Sequence, residues 1–269
     1  MALSPAIAIM LRDLGLEENI VGKHDYDLIL GEQIPAVGHQ SAIDYEALLR
    51  TEPTHVLIQW GRRELPGRLT ELAAANGWAV TDYPLLTLDD VVSAYDDMAV
   101  DLRDLGPRSP MTKRGFIPEI DPSAIDLDLP SAAFAEALRP SDSDLGSIGP
   151  VLLLAGVEPP GVLGPGSAHH DILLRLGARP AVVEGNPWIE LDVEDIYRLG
   201  PSAIVLIDSD APEGATAGER LGAIAGLPIP AVEDGRMALI TDPLALTPST
   251  ALLDVAEELR AILEAWAGE

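Results

Sequence analysis

Apolar and polar positions along the chain switch repeatedly between a helical period and short continuous apolar runs. Ile7, Leu11 and Leu14 recur at helical spacing behind Ser4 and Pro5, a cap and a first-turn proline, and Gly15 suits the left-handed close. Asn19 to Gly22 reads as a short strand. Asp44 to Thr51 predicts a short helix stopped by Pro53, followed by a buried strand from His55 to Trp60. A helix is expected from about Glu64 to Ala75, with Asn76-Gly77 as its stop. Thr87 caps a longer one whose apolar face runs from Leu88 through Val91, Tyr95, Met98 and Leu102 to Leu105, ending at Gly106. Prolines then break the pattern between Pro107 and Gly149, leaving only Ala132 to Arg139 helical. Strand and helix alternate again from Val151-Leu-Leu-Leu-Ala155 to a final amphipathic helix from about Pro248 to Trp266, capped by Thr247. The pattern predicts an α/β protein with an N-terminal lobe over 1–106, a linker over 107–149 and a C-terminal lobe over 150–269. Each lobe should hold a mostly parallel sheet flanked by helices.

An internal repeat sharpens this picture. Asp44, Glu46, Arg50 and Pro53 match Asp192, Glu194, Arg198 and Pro201 at one constant spacing, and Val56-Leu57-Ile58 pairs with Ile204-Val205-Leu206. Both copies spell helix, proline stop, buried strand. Upstream, Leu11, Leu14 and Gly15 match Leu173, Leu176 and Gly177. Two similar α/β lobes create a crevice at the carboxyl ends of their strands, the usual ligand position in open α/β sheets.

Composition narrows the function classes. The chain has 269 residues, enough to bury a sizeable core, with 17 Lys plus Arg against 44 Asp plus Glu and a formal net charge of −27. That field repels phosphate backbones and anionic lipid surfaces, so nucleic acid is not an expected partner. The absence of cysteine excludes disulfides, thiolate metal sites and cysteine nucleophiles. No apolar run reaches the roughly 18 residues of a spanning helix, and the apolar N-terminus, running straight into Arg12-Asp13, reads as folded structure and not as an export leader.

No motif fixes a catalytic group: G-x-S-x-G, a P-loop and H-E-x-x-H are all missing, so no catalytic residue and no resident cofactor is expected. His24, His39 and an Asp could gather around a metal, but their spacing matches no metal signature, and no metal site is assigned. His55 and the pair His169-His170 read as capping or surface polarity. Aromatic residues say more, because there are only eleven. Trp60 ends the first repeat strand and Trp188 precedes the second repeat helix, which sets an indole at each lip of the expected crevice. Trp78 and Trp266 read as packing residues. Two indoles closing on a large flat ligand can supply much of the ~12 kcal/mol of nanomolar binding.

Leu3-Ser-Pro-Ala-Ile with Leu14-Gly-Leu, and Val37-Gly-His-Gln-Ser-Ala-Ile-Asp-Tyr-Glu before the first repeat helix, open a series of local matches. Gly156-Val-Glu-Pro-Pro-Gly, Gly164-Pro-Gly-Ser, Pro187-Trp, Asp192-Val-Glu194 and Ile229-Pro-Ala-Val-Glu-Asp-Gly-Arg-Met continue it. In this order they resemble the two-lobed solute-binding proteins of ABC importers for vitamin B12, iron siderophores and haem, nearest to the cobalamin-binding branch. The resemblance implies a monomeric, non-enzymatic receptor that captures a corrinoid or similar large metal chelate and presents it to an importer permease. It implies ligand contacts from Tyr26, Trp60, Trp188 and Asp242, and permease docking through Glu64 and Glu194. It also implies a periplasmic or cell-envelope location; since this sequence shows no export signal, a cytoplasmic location is the alternative. His39-Gln40 stands where the cobalamin branch often has an aromatic residue. A ferric siderophore or haem receptor is the first alternative, with Arg62 and Arg63 as the cations a siderophore would want. A tetrapyrrole chelatase using His24 or His39, or a cytoplasmic sensor, is the second.

Overall fold

The computed structural model describes residues 1–61, 63–102 and 130–268, and the chain divides into two compact units. One is built from Met1–Leu85 and the stretch beginning at Asp90; the other takes Leu86–Asp89 and runs from Phe134 through the C-terminal helix. Much of the expected linker, residues 107–129, lies outside the described residues.

In the first unit the elements are β1 (Ala2–Leu3), α1 (Pro5–Asp13), β2 (Gly38–His39), β3 (Ala42–Ile43), α2 (Tyr45–Arg50), β4 (His55–Ile58), α3 (Gly67–Asn76), β5 (Ala79–Asp82) and, from Asp90 onward, α4 (Leu88–Asp101). Strands β1, β4 and β5 form a parallel sheet in that order, with Ala2 opposite Leu57 and Leu57 opposite Thr81. Leu3, Leu48, Val56, Ile58 and Leu69 make the core on one of its faces. Every residue of α1 from Ala6 to Leu11 is buried, so this helix is enclosed on all sides and not amphipathic. Ser4 occupies the expected cap position, yet its hydroxyl donates to Gln59 Oε1 at 2.7 Å instead of capping α1. The strand expected over Asn19 to Gly22 is absent. The amides of Asn19 and Ile20 are spent inside a 3-10 turn on the carbonyls of Leu16 and Glu17, and parallel bridging begins only at Lys23, against Ala2 and Ala36. Helix α3 starts at Gly67 and not at Glu64, because Pro66 forces Leu65 out of helical backbone.

The second unit contains α5 (Pro130–Ala137, which begins before the division at Phe134), β6 (Pro150–Val157), β7 (Pro160–Leu163), α6 (Ala168–Leu176), β8 (Arg179–Pro180), β9 (Trp188–Glu190), α7 (Val193–Leu199), β10 (Ala203–Ile207), α8 (Ala217–Leu221), α9 (Pro230–Glu233), β11 (Met237–Ile240) and α10 (Leu252–Ala267). Its sheet runs β11-β10-β6-β7-β9, with β8 also paired to β6. The β11, β10, β6 and β8 pairings are parallel, whereas β7 is antiparallel to both β6 and β9. The β6–β7 connection is a hairpin of two intervening residues, too short for a crossover, and so imposes the antiparallel pairing. Helix α10 begins at Leu252 because residues 248–251 close a turn, in which the Ser249 hydroxyl accepts the Ala251 amide at 3.3 Å.

The repeat is structural. Asp44 and Asp192 are the N-caps of α2 and α7, each carboxylate accepting first-turn amides, and both helices lead into a buried parallel strand, β4 and β10. Among the described residues no helix is long and apolar enough to cross a membrane.

Candidate functional site

One depression of about 370 Å³ in the first unit is lined by His24, Tyr26, His39, Gln40, Ser41, Trp60 and Arg63, within the size range of small-ligand sites. Its residues come from three backbone segments, each held from behind.

The first segment is the excursion from Lys23 to Ala36. The Lys23 ammonium donates to the carbonyls of Leu30 at 2.8 Å and Gly31 at 3.1 Å, and Asp27 Oδ1 accepts the amides of Ile29 and Leu30. This clip carries buried His24 and Tyr26, which is 68% exposed. The second segment is the β2–β3 hairpin. Gly38 has φ +97, and a Cβ there would lie 2.2 Å from the Ala42 carbonyl, so only glycine fits. Asp25 ties the two segments together: Oδ1 accepts the Gly38 amide at 3.0 Å and Oδ2 lies 3.1 Å from His39 Nδ1. The third segment follows β4. Asp82 Oδ1 accepts the Trp60 amide at 2.6 Å, Gln40 Nε2 donates to the Gln59 carbonyl at 2.5 Å, and the indole Nε1 donates to the Glu64 carbonyl at 2.8 Å.

The rings form a connected set. Ring centroids are 5.6 Å apart for His24–Tyr26, 5.6 Å for Tyr26–His39 and 6.2 Å for His24–His39. The Arg63 guanidinium lies over the Trp60 ring, 5.0 Å from its centroid, and Arg63 Nε donates to the Trp60 carbonyl. Burial pushes the His24 pKa down, against the raising influence of Asp25. Its Nδ1 accepts the Tyr26 amide at 3.1 Å, which marks a neutral ring with its proton on Nε2. The surface therefore offers flat aromatic area, imidazole nitrogens and one guanidinium in a strongly acidic chain. No group of three or more His, Cys, Asp or Glu among the described residues is placed to hold a metal ion by itself.

The structure thus brings the expected contacts Tyr26 and Trp60 into one depression, together with His24 and His39. Trp60 also packs partly against its own core. Arg63 is present there, while Arg62 lies outside the described residues. Glu64 is exposed, and its backbone carbonyl holds the Trp60 indole. Trp188, in the second unit, stands on β9 opposite Leu163 and is 50% exposed. A Cβ on Gly161 would come within 2.3 Å of its benzo carbons, so the indole lies directly on that glycine. Asp242 is half-buried; it accepts the Leu244 amide at 2.6 Å and helps push the Glu258 pKa up, behind desolvation of Glu258 itself. Glu194 is exposed on the first turn of α7 and ion-paired with Arg198 at 2.7 Å. His169 and His170 are buried, not at the surface: their Nε2 atoms reach the carbonyls of Ala245 and Val182, because α6 is covered at its N-terminal end as well as along its face. Sequence reasoning missed the Asp25–His39 pair; its signal is an Asp beside one candidate histidine and a glycine before the other.

No protein-family profile and no curated protein sequence matches the chain. Solved structures do. The periplasmic vitamin B12-binding protein BtuF of Vibrio cholerae superposes with TM-score 0.71 at 15% identity, covering 100% of this chain and 97% of that one. The periplasmic haem-binding protein HutB of the same organism gives 0.69 at 19%, covering 97% of each. A periplasmic haem-binding protein of Pseudomonas aeruginosa gives 0.65 at 20%, covering 100% of this chain and 92% of that one. The fold is that of periplasmic binding proteins.

Proposed function

We propose that this chain is the solute-binding receptor of an ABC importer for a metal tetrapyrrole, and that the depression around His24, Tyr26, His39, Trp60 and Arg63 is part of its binding surface. It binds and releases its ligand without chemistry. The single observation that carries the reading is the Asp25–His39 pair. On a neutral ring a carboxylate at Nδ1 leaves Nε2 with a free lone pair, as carboxylates hydrogen-bonded to metal-ligating imidazoles do. That geometry suits a chelate with an open axial position, such as haem, and the Arg63 guanidinium suits a carboxylate on its edge. The likeness to haem-binding folds supports the same choice.

A corrinoid is the second reading, favoured by the exposed Tyr26 and the half-exposed Trp188 and by the likeness to a vitamin B12-binding fold. Trp188 and Asp242 would then be corrinoid contacts, and Glu64 and Glu194 would meet a permease in the periplasm. Titration with ferric haem, aquocobalamin and a ferric siderophore tests these readings. A sharpened, red-shifted haem Soret band that is lost in His39→Ala is expected. Tryptophan quenching by the corrinoid alone, with an unperturbed haem spectrum, would favour the second reading; response to the siderophore alone would refute both.

A further inference from the structure

We infer that Asp25 and the Tyr26 amide hold the two imidazoles of the depression in opposite tautomers, so that His39 presents a bare Nε2 to a metal while His24 presents an Nε2–H to an acceptor oxygen of the same ligand. The metal part of this inference rests on the reading of the site given above; the tautomers rest on geometry alone. A neutral imidazole has one N–H and one lone pair, and whatever its Nδ1 meets decides which nitrogen carries which. Asp25 Oδ2, a pure acceptor, lies 3.1 Å from His39 Nδ1 and requires a proton there. The Tyr26 amide, a pure donor, lies 3.1 Å from His24 Nδ1 and requires a lone pair there. The partners are not interchangeable, because Asp25 Oδ1 is fixed by the Gly38 amide at 3.0 Å, which aims Oδ2 at His39.

The two rings, 6.2 Å apart and edge to face, both line the depression and therefore differ in function despite identical chemistry. The pair would select a metal chelate that has both an exchangeable axial position and a hydrogen-bond acceptor within reach of its metal. A coordinatively saturated ferric siderophore offers the first ring nothing. Asp25 is in this sense a positioning residue for His39.

Asp25→Asn separates position from chemistry. The side-chain oxygen can go on accepting the Gly38 amide, while the new NH2 faces His39 Nδ1 and moves the ring proton to Nε2. Imidazole 15N shifts of the ligand-free protein at neutral pH read the tautomers directly. The unaltered chain should show His39 protonated at Nδ1 and His24 at Nε2, and Asp25→Asn should switch His39 alone. Ferric haem titrated into both proteins should then show at least a tenfold weaker affinity and a changed Soret band for Asp25→Asn, with an unchanged circular dichroism spectrum. Identical tautomers for the two imidazoles, a His39 ring protonated on both nitrogens, or Asp25→Asn with unaltered tautomers, would overturn the inference. A switched tautomer with unchanged haem affinity and spectrum would overturn its metal half. Opposite tautomers in a protein that takes up no haem would support the tautomer assignment and overturn the haem reading instead.

Discussion

Gly161→Ala tests whether Trp188 is held where the structure puts it. The added methyl would lie 2.3 Å from two indole carbons and 2.9 Å from the Ala155 carbonyl oxygen, whereas carbon atoms pack at about 3.5–4.0 Å. The indole must retreat by more than an ångström, and the backbone oxygen prevents the methyl from yielding the other way. Trp188 is half-exposed, so its easiest escape is outward. An indole buries ~150–250 Å² when enclosed; forfeiting the buried half, roughly 100 Å² at about 25 cal/mol/Å², costs about 2.5 kcal/mol. Overpacking in cores costs about 1–3 kcal/mol by itself, so a loss of about 2 kcal/mol in the second unit is expected. Urea unfolding followed by circular dichroism measures it, and tryptophan emission, referenced to Trp188→Phe, should shift to the red. In the Trp188→Ala background the same glycine change should cost less, leaving only the close approach to the Ala155 oxygen, since contacting residues couple. Equal costs in both backgrounds, or a Gly161→Ala protein with native stability and emission, would refute the placement of the indole.

Three further outcomes are expected. Asp44→Ala and Asp192→Ala should each destabilise their own unit by about 1 kcal/mol, because each removes an N-cap carboxylate; urea midpoints report it, and Asp44→Asn, whose side-chain oxygen can still accept the first-turn amides, should recover most of the loss. Leu206→Ala, in the fully buried core of β10, should cost about 2–5 kcal/mol, seen as a lowered thermal midpoint. Burial pushes the His169 pKa below its usual 6.5, outweighing the hydrogen bond to Ala245. The unfolded chain then binds the extra proton first, so this contribution is present above pH 6.5 and is lost as the pH falls from there toward the depressed folded value; the pH-dependent part of the stability measured between pH 7.5 and 5.5 should shrink in His169→Asn.

Elements carried by local signals were legible before any coordinates. Asp44 and Asp192 announce their helices because a cap is decided within four residues, and Val56 to Ile58 and Ile204 to Leu206 announce buried strands because both of their faces are covered. The β7 reversal was less visible, since Pro160-Gly-Val-Leu carries no sign of which strand it will pair with. His169 and His170 were misread because the apolar stripe of α6 does not reveal what closes over its first turn. In the site, Trp60 was reachable from its place at the end of a repeat strand and Tyr26 through resemblance, but Asp25 and His39 are 14 residues apart and meet only because the Gly38 amide turns the hairpin back. Long-range polar pairing leaves no periodic trace in a sequence.

Lys23 bridges Ala36, takes the Pro35 carbonyl on its amide and gives its own carbonyl to Val37. The twelve residues from His24 to Pro35 thus leave and rejoin the backbone at one spot, and the cost of closing such an excursion grows only slowly with its length. The part of that interval beyond Asp25 can therefore be lengthened or shortened at little cost, while Asp25 must stay to hold the Gly38 amide and with it the hairpin.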